Sequence, residues 1–141
     1  MEAREKMAFA NTLSGVVMTV CSTTSEHSLE HAMSAYHQNL PHGAGLIMIS
    51  KAFYQHFIDK HVCDDRFVDM AQALGMAEAA KPQDFITALQ SLQKACGVAD
   101  LSMADYGIEE QELEAIAENA RETMGGLFEA DPCLLYTSRC V

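Results

Sequence analysis

Glu26-His27-Ser28-Leu29-Glu30-His31-Ala32-Met33-Ser34-Ala35-Tyr36-His37-Gln38-Asn39-Leu40-Pro41-His42-Gly43 is the stretch on which the reading of this chain turns. His27 and His31 are four residues apart, so on a helix they share one face. His42 follows a proline and precedes a glycine, where the next helix is expected to begin. Neutral imidazoles delivered from two adjacent helices are suited to a catalytic divalent metal. Each half of the pattern is weak alone, because paired histidines are commonly surface residues hydrogen-bonded to a carboxylate.

Outward from this stretch the periodicity is helical, and strand signals are nearly absent. Glu2 to Cys21 places Met7, Ala8, Ala10, Leu13, Val16 and Val17 at helical spacing, with Gly15 expected to mark a close backbone contact. Ser22 to Ser25 supplies hydroxyls for a loop and an N-cap, and a short helix from Glu26 to about Tyr36 carries the two histidines. Pro41-His42-Gly43 opens a longer apolar helix through Leu46, Phe53 and Ile58. Asp64-Asp65 is expected to cap a helix with Phe67, Val68, Met70, Ala71 and Leu74 on its core face, stopping near Gly75. Pro82 starts another, through Phe85, Ile86, Leu89, Leu92 and Cys96, that Gly97 ends. Glu109 and Glu110 favour the positive end of a last helix whose apolar face is Leu113, Ile116, Ala117 and Ala120. The expected fold class is all-α, a helical bundle.

Composition narrows the function. The chain has 141 residues, 49% of them hydrophobic, enough for one domain with a real core. Twenty acidic against nine basic residues, a formal charge of −11, would repel a phosphate backbone, so no nucleic-acid partner is expected. No apolar run has the length of a membrane span, and no signal segment opens the chain. Five cysteines without CxxC spacing read as free thiols of a cytoplasmic protein, Cys21 among them as a small packed thiol. Glu26, Glu30 and the Glu109–Glu118 run read as solvated helix positions, with orientation of a histidine by Glu26 or Glu30 as the alternative. His56 and His61 read as ordinary helix-surface or helix-end residues, and His37 as a loop residue near the metal histidines.

Residues 1–132 are read as one helical domain, incomplete at both ends, and 133–141 as a separate, non-native tail. Cys133-Leu134-Leu135-Tyr136-Thr137-Ser138-Arg139-Cys140-Val141 breaks the helical character before it. One back-translation, tgt-ctc-tta-tac-aca-tct-aga-tgt-gta, is mostly its own reverse complement. It resembles two transposon-end sequencing adapters joined head to head, and on that reading the true gene continues past Pro132.

Arg4-Glu5-Lys6-Met7-Ala8 and Asn11-Thr12-Leu13-Ser14-Gly15 resemble the helix that enters the metal-binding half of the iron-containing (group III) alcohol dehydrogenases. Ser25-Glu26-His27-Ser28-Leu29-Glu30-His31-Ala32-Met33, followed by Leu40-Pro41-His42-Gly43-Ala44-Gly45-Leu46, is similar to that family's C-terminal signature. The resemblance implies the helical C-terminal domain of a two-domain, dehydroquinate synthase-like fold. In that fold an N-terminal α/β domain binds NAD or NADP, and a cleft metal, Fe²⁺ with Zn²⁺ as the alternative, is held by one aspartate and three histidines.

Under the resemblance His27 and His42 match the third and fourth metal ligands. His31 matches a histidine beside the metal that lines the nicotinamide cleft and relays a proton, a catalytic and cofactor-binding role. The implied reaction interconverts small alcohols and aldehydes or ketones by hydride transfer, in a parent expected to be a homo-oligomer. Many members have one residue fewer between the two histidine segments. This chain has no GxGxxG segment and no βαβ alternation, and the resemblance leaves two of the four ligands upstream, so the chain alone is expected to be inactive. A related glycerol or polyol dehydrogenase and a non-catalytic helical interaction module are the competing readings.

Overall fold

A computed structural model describes residues 1–132, and every regular element among them is helical. The order is α1 (Glu2–Val20), α2 (Ser25–Tyr36), α3 (His42–Asp59), α4 (Asp64–Ala73), α5 (Gln83–Ala95) and α6 (Leu113–Met124). Short 3₁₀ turns at Met103–Tyr106, Glu110–Glu112 and Gly125–Phe128 lead into and out of α6. The expected non-native tail, 133–141, lies outside the described residues.

The helix ends follow local chemistry, with two departures from expectation. Gly75 and Gly97 adopt left-handed φ of +97° and +70°, ending α4 and α5 where a side chain would be strained. Ahead of α6, the Glu109 N–H donates to Glu112 Oε2 at 2.8 Å, so two residues of the acidic run satisfy a helix start. At α4 the N-cap is Cys63 rather than an aspartate, in a left-handed conformation of φ +63°. Asp64 and Asp65 sit in the first turn, where the helix dipole favours them. Thr24 holds the N-cap position of α2 without a side-chain bond.

Two cores form, joined by α3. One gathers Ala32 and Met33 of α2, Leu40, Ile108, Ile116 and Ala120 of α6, and Phe128. The other gathers Ile58 of α3, Phe67 and Ala71 of α4, Ala79, and Phe85, Ile86 and Ala88 of α5. An 18-residue helix is about 27 Å long. That length lets Ala44, Met48 and Ile49 serve the first core while Tyr54, Phe57 and Ile58 serve the second.

Several expectations about packing fail. No residue of α1 is buried, and Leu13, Val16 and Val17 are at least half exposed; the helical spacing there is real, but no described element covers it. Nothing lies within 4 Å of a Cβ built on Gly15, so that glycine marks no close approach. Leu113 and Cys21 are exposed, and so are Met70, Leu74, Leu92 and Cys96, which helical spacing assigns to core faces.

Candidate metal centre

α2 and α3 pack against each other, and the Leu40-Pro41 turn between them brings the start of α3 back beside the middle of α2. Pro41, at φ −67° and ψ 133°, is the residue before the first turn of α3, so His42 is fixed at the helix mouth. His27 and His31 project from one face of α2, one turn apart.

The three rings converge. His42 stands between the other two, its ring centroid 5.2 Å from each, while His27 and His31 are 6.4 Å apart. One ring nitrogen from each of the three lies within 4.8 Å of the others. An ion about 2.1 Å from each nitrogen spans at most about 4.2 Å between two of them, so separations of this order suit a shared cation. His27 is half-buried, while His31 and His42 are open to solvent on the outer side. Burial, reinforced by the neighbouring His42 and His31, lowers the His27 pKa against an opposing effect of Glu30, which favours the neutral ring a cation needs.

Beneath the rings lies a polar layer that overturns the solvated reading of two glutamates. Glu30 is fully buried, and its carboxylate accepts hydrogen bonds from His42 Nδ1 and from Ser34 Oγ. Glu26 is also buried, and accepts from Tyr54 Oη at 3.3 Å. Burial raises the Glu26 carboxyl to about 7 against the Tyr54 hydrogen bond, and burial beside Glu26 pushes the Tyr54 hydroxyl up as well. Polarity along α2 misleads because α2 is enclosed by α3 on one side and α6 on the other. The signal that was available is on the facing helix. Gly45 carries no Cβ where one would meet Glu30 Cγ at 2.6 Å.

The remaining histidines stay out of the cluster. His37 ends α2 at the far end from His27, with Nε2 3.3 Å from Glu112 Oε1. His56 donates from Nε2 to the Pro132 carbonyl at 3.0 Å, and beside it Ser25 Oγ donates to Asp131, so the 131–132 segment is tied to α2 and α3. His61 is exposed just beyond α3, its Nδ1 3.1 Å from Asp64 Oδ2. On the other flank of the cluster, Met124 Sδ approaches His31 Nδ1 at 3.1 Å.

Two histidines on α2 meet a third at the mouth of α3, and comparison with known proteins shows the family in which this arrangement sits. The model of the Fe-containing alcohol dehydrogenase family, C-terminal, matches residues 1–130. The chain belongs to that family. Its relatives include an NAD-dependent methanol dehydrogenase of Bacillus methanolicus, 27% identical over 136 aligned residues that cover 86% of this chain and 32% of that protein. A probable NADH-dependent butanol dehydrogenase 2 of Bacillus subtilis (strain 168) is 29% identical over 131 residues, covering 87% of this chain and 33% of that protein. The chain thus spans about a third of the length of the curated relatives it matches. No solved structure matches it significantly.

The residues present fit a divalent metal. They supply borderline imidazole donors, an open outer side, and a buried carboxylate on the back of one ring. Among the described residues no helix is long and apolar enough to cross a membrane.

Proposed function

We propose that this chain is the metal-binding helical part of a cytoplasmic, homo-oligomeric, NAD(P)-linked alcohol dehydrogenase that interconverts small alcohols with aldehydes or ketones. The observation that carries the proposal is the convergence of His27, His31 and His42 from two helices, their nitrogens within 4.8 Å of one another. It favours a metal centre over a helical interaction module, which has no need to gather three imidazoles. The domain spans residues 1–132, and the aspartate, the first ligand histidine and the nicotinamide-binding α/β half come from sequence outside this chain. When bound, a divalent cation, Fe²⁺ or Zn²⁺, supplies charge that eases loss of the alcohol proton before hydride passes to NAD.

The chain's own residues prepare that step. His27 presents a ring that burial keeps neutral, and so offers a lone pair. His42, hydrogen-bonded at Nδ1, is left with Nε2 as its donor atom. His31, exposed on the open side, is positioned to pass the alcohol proton to solvent through its ring. The cores behind α2 and α3 hold these rings on rigid helices rather than on loops.

The test is alcohol oxidation followed as NADH absorbance, in this chain and in the same chain joined to its upstream coding sequence. The expected result is no turnover by the chain alone. The joined protein is expected to show metal-dependent turnover that falls at least a hundredfold in His27→Ala and in His42→Ala. Full turnover by both variants, or by a chelated enzyme, would overturn the assignment.

A further inference from the structure

We infer that Glu30 and Gly45 form a matched pair whose task is to fix the orientation and tautomer of His42, making Glu30 a positioning residue for the metal centre. The inference rests on the metal reading of the histidines but is tested separately from it. Glu30 has no exposed surface, yet it sits on a helix whose neighbours His27 and His31 reach solvent. A carboxylate is costly to bury unless its oxygens are satisfied, and here they divide the work. Oε1 accepts from Ser34 Oγ, one turn along α2, which pins the carboxylate's own rotation. Oε2 accepts from His42 Nδ1, across the gap to α3.

An imidazole whose Nδ1 carries the proton has its lone pair on Nε2. In water the opposite tautomer is preferred, so a free His42 would more often present the wrong atom. Glu30 reverses that preference, because its carboxylate has acceptors only.

The seat exists because α3 has no side chain at position 45. A Cβ there would lie 2.6 Å from Glu30 Cγ, closer than nonbonded carbon atoms approach, and 3.0 Å from Oε1, a tight contact. A methyl at 45 would therefore push the Glu30 carboxylate out from under His42. Gly45 is a helix-interior glycine that costs about 1 kcal/mol in helix propensity, and this seat accounts for it.

The experiment uses the metal-free 141-residue chain labelled with ¹⁵N-histidine, at a pH where imidazoles are neutral. Ring ¹⁵N shifts report the His42 tautomer, circular dichroism reports the fold, and Co²⁺ titration followed by its visible absorbance reports metal affinity. Wild type is expected to show His42 protonated at Nδ1. Glu30→Ala and Gly45→Ala are each expected to move the population toward Nε2–H and to weaken Co²⁺ binding roughly 10- to 100-fold. Glu30→Gln, whose amide oxygen can still accept from Nδ1–H, is expected to restore the tautomer.

An unchanged His42 tautomer in folded Glu30→Ala overturns the inference. Should that variant lose its helices, an unchanged tautomer in Gly45→Ala overturns it equally. A wild-type chain that takes up no Co²⁺ while its tautomer responds to Glu30→Ala supports the positioning role and counts against the metal reading alone.

Discussion

The two cores that share α3 are built on opposite principles. Around α4 and α5 the clustered core is apolar, with buried Ser50 of α3, bonded to Gln93 of α5, as its polar neighbour, and Tyr54, Phe67 and Phe85 meet with ring centroids 5.2 to 6.2 Å apart, mostly edge to face. Around α2 the interior also takes in Ser25, Glu26, Ser28 and Glu30, and Glu30 lies directly behind His42. The first arrangement needs only volume and shape. The second needs each oxygen matched with a donor, which restricts the fold to one geometry and places that restriction where imidazoles must be aimed. Tyr54 connects the two, with its ring in the aromatic cluster and its hydroxyl on Glu26.

The largest effect should come from the apolar side. Phe85→Ala removes a buried ring packed against both Tyr54 and Phe67, and is expected to cost about 3–5 kcal/mol. Urea denaturation followed by circular dichroism measures it. Because α3 runs through both cores, one transition is expected to shift as a whole. Two separated transitions would show that the halves fold independently and would break the comparison at its root.

Next in size is a pH effect confined to the polar side. The Glu26 carboxyl titrates at about 7 in the folded chain, against 4.5 for an ordinary glutamate, chiefly because it is buried. The folded state therefore keeps a proton that the unfolded chain gives up. That contribution is complete below pH 4.5, declines as pH rises, and is gone above about 7. Allowing for residual solvent access, it amounts to about 2 kcal/mol. Glu26→Gln is neutral at every pH and should flatten this part of the profile in the metal-free chain. Denaturation at pH 5 and pH 8 gives the comparison, and equal slopes for wild type and variant would refute the assignment.

The apolar core was legible in the sequence and the polar one was not, for a physical reason. Phe67, Ala71, Phe85 and Ile86 repeat at helical spacing between glycine stops, and burial follows directly from hydrophobicity at that period. His27, His31 and His42 were legible too, since spacing and a proline put them at two facing helix positions. Glu26 and Glu30 were not, because a charged residue is read as solvated unless its partner is known. The partners, Tyr54 and His42, lie 28 and 12 residues away on another helix. The exposed stripe of α1 fails in the converse way: periodicity reveals an apolar face but not what covers it.

The smallest predicted effect compares one substitution placed in both regions. Ser28 and Ser91 each donate a hydroxyl hydrogen bond to a helix carbonyl, at 3.0 and 2.9 Å. Ser28 is buried, and its acceptor is Met124 at the end of α6, so the bond joins two elements and satisfies a carbonyl that α6 itself leaves unpaired. Ser91 is exposed and bonds Thr87 one turn back on its own helix, where water can replace it. Ser28→Ala is therefore expected to cost about 1 kcal/mol, whereas Ser91→Ala should stay within about 0.5 kcal/mol of wild type. Met124 also approaches His31 through its sulfur, so loosening the end of α6 should alter the His31 ring resonances in Ser28→Ala and leave them unmoved in Ser91→Ala. Equal stability changes in the two variants would mean that the buried hydroxyl contributes no more than the solvated one, and that the α2 interior tolerates polar groups rather than depending on them.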